Sequence, residues 1–176
     1  MFCLTEREPE MSELKKNDSY INKMVQGAAI AALYAVLNLI LPATTAGTVE
    51  FRISEALTML AVLTPAAIPG LTIGCLIANM MHGAIVLDIV FGSLATFLAA
   101  LMTYLTRKNL FIAAIWPAVF NGVIIGPLLK YAYHLDAPLW ILILSVAAGE
   151  AVICYLLGIP LTKGLGETHI FKDGNK

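Results

Sequence analysis

Apolar residues run in long stretches along this chain, and Pro, Gly and charged positions break them into six candidate helices. The first extends from Met24 to Leu41 and ends at Pro42, before the polar loop ATTAGTVEFR. The second, Ile53 to Leu63, stops at Pro65, and the third, Ile68 to Met81, opens at the turn PAAIPG. The fourth, Ile85 to Leu105, and the fifth, Leu110 to Tyr133, are separated by TRKN. The sixth, Leu139 to Leu161, begins after DAP and ends at PLTKG. A helix that crosses about 30 Å of hydrocarbon needs roughly 20 residues. The second and third runs are shorter, so they form either a re-entrant pair or short helices lining a cavity. Irregular backbone at membrane depth persists only where protein or water satisfies it. A recess is expected where those two helices end.

Composition supports that reading. The 176 residues are 59% hydrophobic and 13% charged, against about 25% charged in ordinary soluble domains. Such a chain has too little polar material to cover a soluble surface, and lipid needs no such cover. The expected fold is an all-α integral membrane protein with six transmembrane helices, the second and third short. A polar tail over 1–23, a transmembrane domain over 24–162 and a second polar tail over 163–176 complete the plan. The start, MFCLTEREPEMSELKKNDSYINK, is charged and lacks the apolar centre of a cleaved signal peptide. It reads as a cytosolic tail, either a short surface helix or disorder.

Charge sets an orientation. Lys15, Lys16 and Lys23 precede the first run, Arg107 and Lys108 join the fourth to the fifth, and Lys163 and Lys172 follow the sixth. The positive-inside rule makes that side the cytoplasm, with both termini on it. Arg52 and Lys130 fall on the other side, where they either have a role or snorkel and pair with Glu50 and Asp136. The net charge of −1 leaves no basic stripe for nucleic acid. Cys3, Cys75 and Cys154 have no metal-ligand spacing, and the last two sit in apolar runs as small hydrophobes do. The sequence holds no GxxxxGKS/T loop for ATP, no HExxH or Cys/His cluster, and no GxSxG elbow. No catalytic residue, metal or cofactor of its own is therefore expected. No inverted repeat of the secondary-transporter kind is evident either.

Polar groups within the apolar runs need partners, because a charge at a helix centre costs roughly 2.5–3.5 kcal/mol on insertion scales. Glu55, Asn79, His82, Asp88, Asn121 and Glu150 are the candidates. Each has a plainer explanation. Glu55 complements a helix dipole, the asparagines serve as interhelical glue, and His82 and Asp88 mark an interface. Glu150, within AAGEAVICYLLG, has no basic neighbour in sequence. All but Asn121 and Glu150 lie toward the outward end, as in a pocket that opens outward and reaches toward the midplane. The first helix carries two Ala-x-x-x-Ala pairs, Ala28 with Ala32 and Ala31 with Ala35. Small residues four apart share a face that another backbone approaches closely, and ordinary packing within the chain would use them equally well.

The blocks FRISEALT, IGCLIAN, LDIVFGSLATFLAALMTYL and GEAVICYLLGIPL resemble the QueT family over about Met24 to Leu161. These are queuosine-precursor substrate-binding (S) components of energy-coupling-factor (ECF) transporters. The resemblance implies an S-component-like bundle in a prokaryotic cell membrane. It also implies a transmembrane coupling subunit and two ABC ATPases as partners, the ATPases hydrolysing the ATP. In such components an Ala-x-x-x-Ala pattern docks on the coupling subunit, and it falls here on Ala28 and Ala32. The implied ligand is a 7-deazaguanine such as preQ0, preQ1 or queuine. Carboxylates suit the N–H donors of that base, asparagines its carbonyl and ring nitrogen, and an aromatic ring its face. The expected contacts are Glu55, Asn79 and Glu150, then Asp88 and Asn121, with Tyr131 or Phe51 stacking. The loop Pro42 to Arg52 is the expected lid, and toppling of the loaded subunit follows from the resemblance alone. The rivals are an S component for another vitamin or nucleobase-like solute, a small intramembrane enzyme using Asp88, His82 and Glu150, and a channel or packing subunit without ligand.

Overall fold

The computed structural model describes residues 7–41, 44–46 and 49–168. Helix α1 (Arg7–Ile40) is 34 residues long and begins well before Met24. The polar segment expected as a separate tail is thus continuous with the first apolar run. No Gly or Pro interrupts it between Glu10 and Gln26, and Pro9 lies in the first turn, where a missing N–H removes no helical bond.

Strands β1 (Thr44–Ala46) and β2 (Val49–Phe51) then form an antiparallel hairpin with Thr45 opposite Glu50. Of the expected lid, Pro42, Ala43, Gly47 and Thr48 lie outside the described residues.

The second apolar run is a 3-10 helix, Ile53–Val62. Such helices seldom exceed three or four residues, but they rise about 2.0 Å per residue. Ten residues therefore cover about 20 Å, where an α-helix would cover about 15 Å. Ser54 through Ala61 are buried without a break, so neighbouring helices enclose the poorer hydrogen-bond geometry. Thr64, just beyond, donates its hydroxyl to the Gln26 amide oxygen at 3.1 Å. Helix α2 (Ala67–Met81) then returns alongside α1 and in the same direction. Gly27 meets Gly70, Ala31 meets Gly74, and the main chain of Asn38 meets His82. The short second and third runs are therefore both helical. They run between the Gln26 level and the Asn38 level of α1.

The remaining elements are α3 (Val86–Leu105), α4 (Leu110–Ala113), α5 (Ile115–Tyr131), α6 (Leu139–Ile153), a π turn (Cys154–Gly158) and α7 (Ile159–Gly166). The hairpin's β2 lies against α6. Helix α4 and α5 together form the fifth run, interrupted at Ala114. The sixth run continues through the π turn to Gly166, past Leu161. Pro160 follows that turn and has no N–H to give to Leu156.

Among the described residues, four stretches are long and apolar enough to cross a membrane: Ser19–Ile40, Val86–Leu105, Leu110–Tyr131 and Leu139–Gly166. Polarity is arranged opposite to that of a soluble domain. Tyr34, Glu55, Thr58, Thr96 and Thr103 are fully buried, while Leu105 and Leu156 are 62% and 68% exposed. Lipid is the solvent such a surface fits.

Small residues bring α1 and α2 into backbone contact. A Cβ on Gly70 would stand 2.5 Å from the Gly27 carbonyl oxygen, and one on Gly74 would stand 2.7 Å from that of Ala31. Any side chain there would force the helices apart. Gly70→Val is expected to lower stability by about 1–3 kcal/mol or more, read as an earlier thermal melt in detergent. An unchanged melt would mean that the helices do not meet at this point.

Candidate ligand-binding site

At the hairpin end of the bundle, the ends of α1 and α2, the start of α3 and the segment after α5 surround a hollow of about 390 Å³. Asn38, Arg52, Asn79, His82, Asp88 and Tyr133 supply its polar lining. The turn between α2 and α3 uses Gly83 at φ 67°, which glycine adopts without strain. Asn79 Nδ2 donates to the Asp88 carbonyl at 3.3 Å. Gly92 makes room for that approach, since a Cβ there would lie 2.9 Å from Asn79 Nδ2. The Tyr133 hydroxyl donates to Asp88 Oδ2 at 2.9 Å. Partial burial, and then the hydrogen bond and negative charge of Asp88, raise the Tyr133 phenol above its usual range. It therefore remains a donor at neutral pH. His82 Nε2 lies 3.0 Å from the Asn38 carbonyl oxygen and ties α2 to α1.

Two residues of this lining each carry a buried polar atom without a hydrogen-bond partner among the described residues: Oδ1 of Asp88 and Nδ2 of Asn38. Ser54 Oγ shares that condition but lines neither this hollow nor the smaller one beside it. The smaller hollow, about 10 Å³, is lined by Arg52, Asn121, Ile125, Val146 and Glu150. It has room for about one water. Arg52 lines both, so Glu150, which has no basic neighbour in sequence, shares a cavity with one in space.

The sequence-derived candidates thus fall into three groups. Asn79 and Asp88 line the larger hollow, and Asn121 and Glu150 the smaller. Glu55 and Tyr131 line neither. Glu55 is sealed in the core, where its carboxylate accepts from the Tyr34 hydroxyl at Oε1 and from Thr58 Oγ1 at Oε2, the latter at 2.9 Å. Tyr131 is 68% exposed; Tyr133, two residues on, supplies the aromatic ring instead. Phe51 belongs to β2, whose side chains lie outside the described part. Sequence reasoning did not select Asn38, Arg52 or Tyr133 as contacts. A signal existed for two of them: Asn38 is the polar residue in AVLNLIL, and Arg52 is a cation on the wrong side by the charge rule. Tyr34→Phe removes one of the two hydroxyls that hold a buried carboxylate. It is expected to cost about 1–3 kcal/mol, measured by thermal unfolding in detergent, and a loss within error of zero would contradict the Glu55 network.

The two alanine pairs of α1 separate. Ala31 and Ala35 are 8% and 7% exposed and pack inside the chain, whereas Ala28 and Ala32 are exposed. Both face an apolar groove of about 670 Å³ between α1 and α2, which Met24, Pro69, Ile73, Ile77 and, at its floor, the buried Ala31 also line.

The family model described as QueT transporter matches residues 24–167. Queuosine precursor transporter QueT of Lactococcus lactis subsp. cremoris (strain MG1363) is 36% identical over 85 residues. That alignment takes in 47% of this chain and 48% of the relative, so it spans about half the length of each. No solved structure matches the chain. The family is one of transporters rather than enzymes, and a multi-pass apolar bundle is the architecture such a role needs. Its match takes in the bundle from Met24 onward, both hollows and most of the α1–α2 groove, and the chain belongs to the QueT transporter family.

Proposed function

We propose that this chain is the substrate-capturing S component of an ATP-driven ECF importer and takes up a queuosine precursor, a 7-deazaguanine such as preQ0, preQ1 or queuine. The observation that carries this reading is the polar hollow at one end of an otherwise apolar bundle, with a buried acceptor and a buried donor that no described residue satisfies. Its volume falls within the range of about 300–1,000 Å³ usual for small-molecule sites. The name of the Lactococcus lactis relative points to the same class of solute.

Orientation follows from charge. Arg107, Lys108 and Lys163 lie at helix ends away from the hollow, and Lys23 lies on α1 just before the Gln26 level, so the positive-inside rule turns the hollow outward in a prokaryotic cell membrane and leaves both termini cytoplasmic. The four long stretches then cross the membrane, and the 3-10 helix and α2 run within it between the Gln26 and Asn38 levels of α1, the 3-10 helix covering about 20 Å by its greater rise. Asp88 and Asn79 bind polar edges of the base, and Tyr133 rather than Tyr131 offers an aromatic face. Asn121 and Glu150 lie one step deeper, behind Arg52, where a shift of that side chain would join the two hollows. Glu55 holds the 3-10 helix beneath the site through Tyr34 and Thr58.

The chain has no nucleotide-binding loop, so the energy comes from partners: a coupling subunit and two ABC ATPases that hydrolyse the ATP. Ala28 and Ala32 form the docking face, because α1 leaves them exposed beside an apolar groove while Ala31 and Ala35 serve the chain's own packing. The hairpin closes over the captured base, the loaded subunit docks through the alanines, and toppling releases the solute inward.

Native mass spectrometry of the purified chain is expected to find a retained 7-deazaguanine base. No retained base, together with no thermal shift on adding preQ0, preQ1 or queuine, would overturn the substrate. Replacing Ala28 and Ala32 with Leu is expected to abolish co-purification with the coupling subunit while leaving base binding within about twofold, a change below 0.5 kcal/mol. Co-purification that survives both substitutions would remove the alanines from the interface.

A further inference from the structure

We propose that Asp88 and Asn38 are the pair that reads the ligand, recognising a ring edge on which an N–H stands beside a carbonyl. This rests on the larger hollow being the ligand site. Both side chains are 6% exposed, both line that hollow, and each directs one buried atom, Asp88 Oδ1 or Asn38 Nδ2, at no described partner. Asp88 Oδ2 accepts from Tyr133, which fixes that carboxylate and with it Oδ1. The main-chain carbonyls of Asp88 and Asn38 meet Asn79 and His82, so the backbone that carries each side chain is tied to α2.

Their chemistry is opposite. A carboxylate oxygen only accepts, and an amide nitrogen only donates. A carboxylate or phosphate ligand would meet Asp88 acceptor to acceptor. An ammonium would answer Asp88 but leave the Asn38 donor buried and unpaired, beside the cationic Arg52. A neutral lactam edge satisfies both at once: its N–H donates to Asp88 Oδ1 and its C=O accepts from Asn38 Nδ2. The 7-deazaguanines carry that edge. Burying either atom without its partner is costly in a low-dielectric site, so the pair discriminates by what the wrong ligand leaves unmade.

The test is isothermal titration of the full-length chain in detergent with preQ1 and with its N1-methyl derivative, which blocks the lactam donor. Wild type is expected to bind the methylated base at least about tenfold more weakly than preQ1. Asp88→Asn turns the free acceptor into a donor, and Asn38→Asp does the reverse. Each is expected to weaken preQ1 at least about tenfold, and Asp88→Asn to erase most of the penalty for methylation. Unliganded melts report folding, and Asn38→Leu replaces Asn38→Asp if the latter does not fold. Wild-type binding of preQ1 that both variants keep within twofold would overturn the pair and assign the two atoms to bound water. Failure of wild type to bind any 7-deazaguanine would overturn the substrate reading and this proposal with it. Binding of hypoxanthine, a lactam that is not a 7-deazaguanine, that is lost in both variants would instead retain the pair and overturn the queuosine precursor alone.

Discussion

Hydrocarbon offers no hydrogen bonds, so every polar group that this chain carries into its bundle has to meet a partner inside the protein. Most do so locally. Thr72, Ser93, Thr96 and Thr106 return their hydroxyls to carbonyls four residues earlier. Others reach across the fold: Thr103 bonds the Ala113 carbonyl, Thr162 the Met59 carbonyl, and Tyr34 and Thr58 enclose the Glu55 carboxylate. Against that background of satisfied groups, Asp88 Oδ1 and Asn38 Nδ2 are exceptions with a common location. A transporter must leave its site incomplete until the solute arrives. An orphaned donor and acceptor on residues of one hollow fit that requirement under the proposed function.

The same constraint shapes the backbone. A segment of only ten residues between the hairpin and the Leu63–Ala66 turn would fall short as an α-helix, and an irregular one would bring unpaired amides into the bundle. The 3-10 helix meets both demands, with a longer rise and every step hydrogen-bonded, at the cost of poorer bond geometry. Close contact of α1 with α2 through Gly27, Gly70 and Gly74 complements it. Because α1 spends one face on that contact, its neighbouring face, with Ala28 and Ala32, is left toward the groove. Internal packing and the proposed docking thus use adjacent stripes of one helix.

Function follows from where the two kinds of surface lie. The polar hollow occupies the hairpin end, while the apolar groove runs along the flank of α1 toward Lys23. The proposed solute-binding end and the proposed docking flank do not overlap, so one subunit could hold its cargo and dock at the same time. Arg52 is the residue common to both hollows. It sits at the junction of β2 and the 3-10 helix, where a movement of the hairpin would reach it directly.

Much of this was legible in the sequence, because lipid imposes a demand on composition that needs no fold to be recognised. The apolar runs located every helix of the bundle, the shortness of the second and third marked a recess, and the blocks from FRISEALT to GEAVICYLLGIPL carried the family. Asn79, Asp88, Asn121 and Glu150 stood out as polar groups in apolar runs; the first two line the larger hollow and the last two the smaller one. Tertiary structure alone decided that Glu55 is sealed by Tyr34, that Tyr133 and not Tyr131 lines the cavity, that Arg52 accompanies Glu150, and that Ala31 and Ala35 turn inward while Ala28 and Ala32 do not. The reason is physical. Composition reports what a segment will dissolve in, a local property. Which side chain meets which depends on how helices rotate and slide against one another, and that is set by contacts between residues far apart in the chain, such as Gly27 with Gly70 and Tyr34 with Glu55.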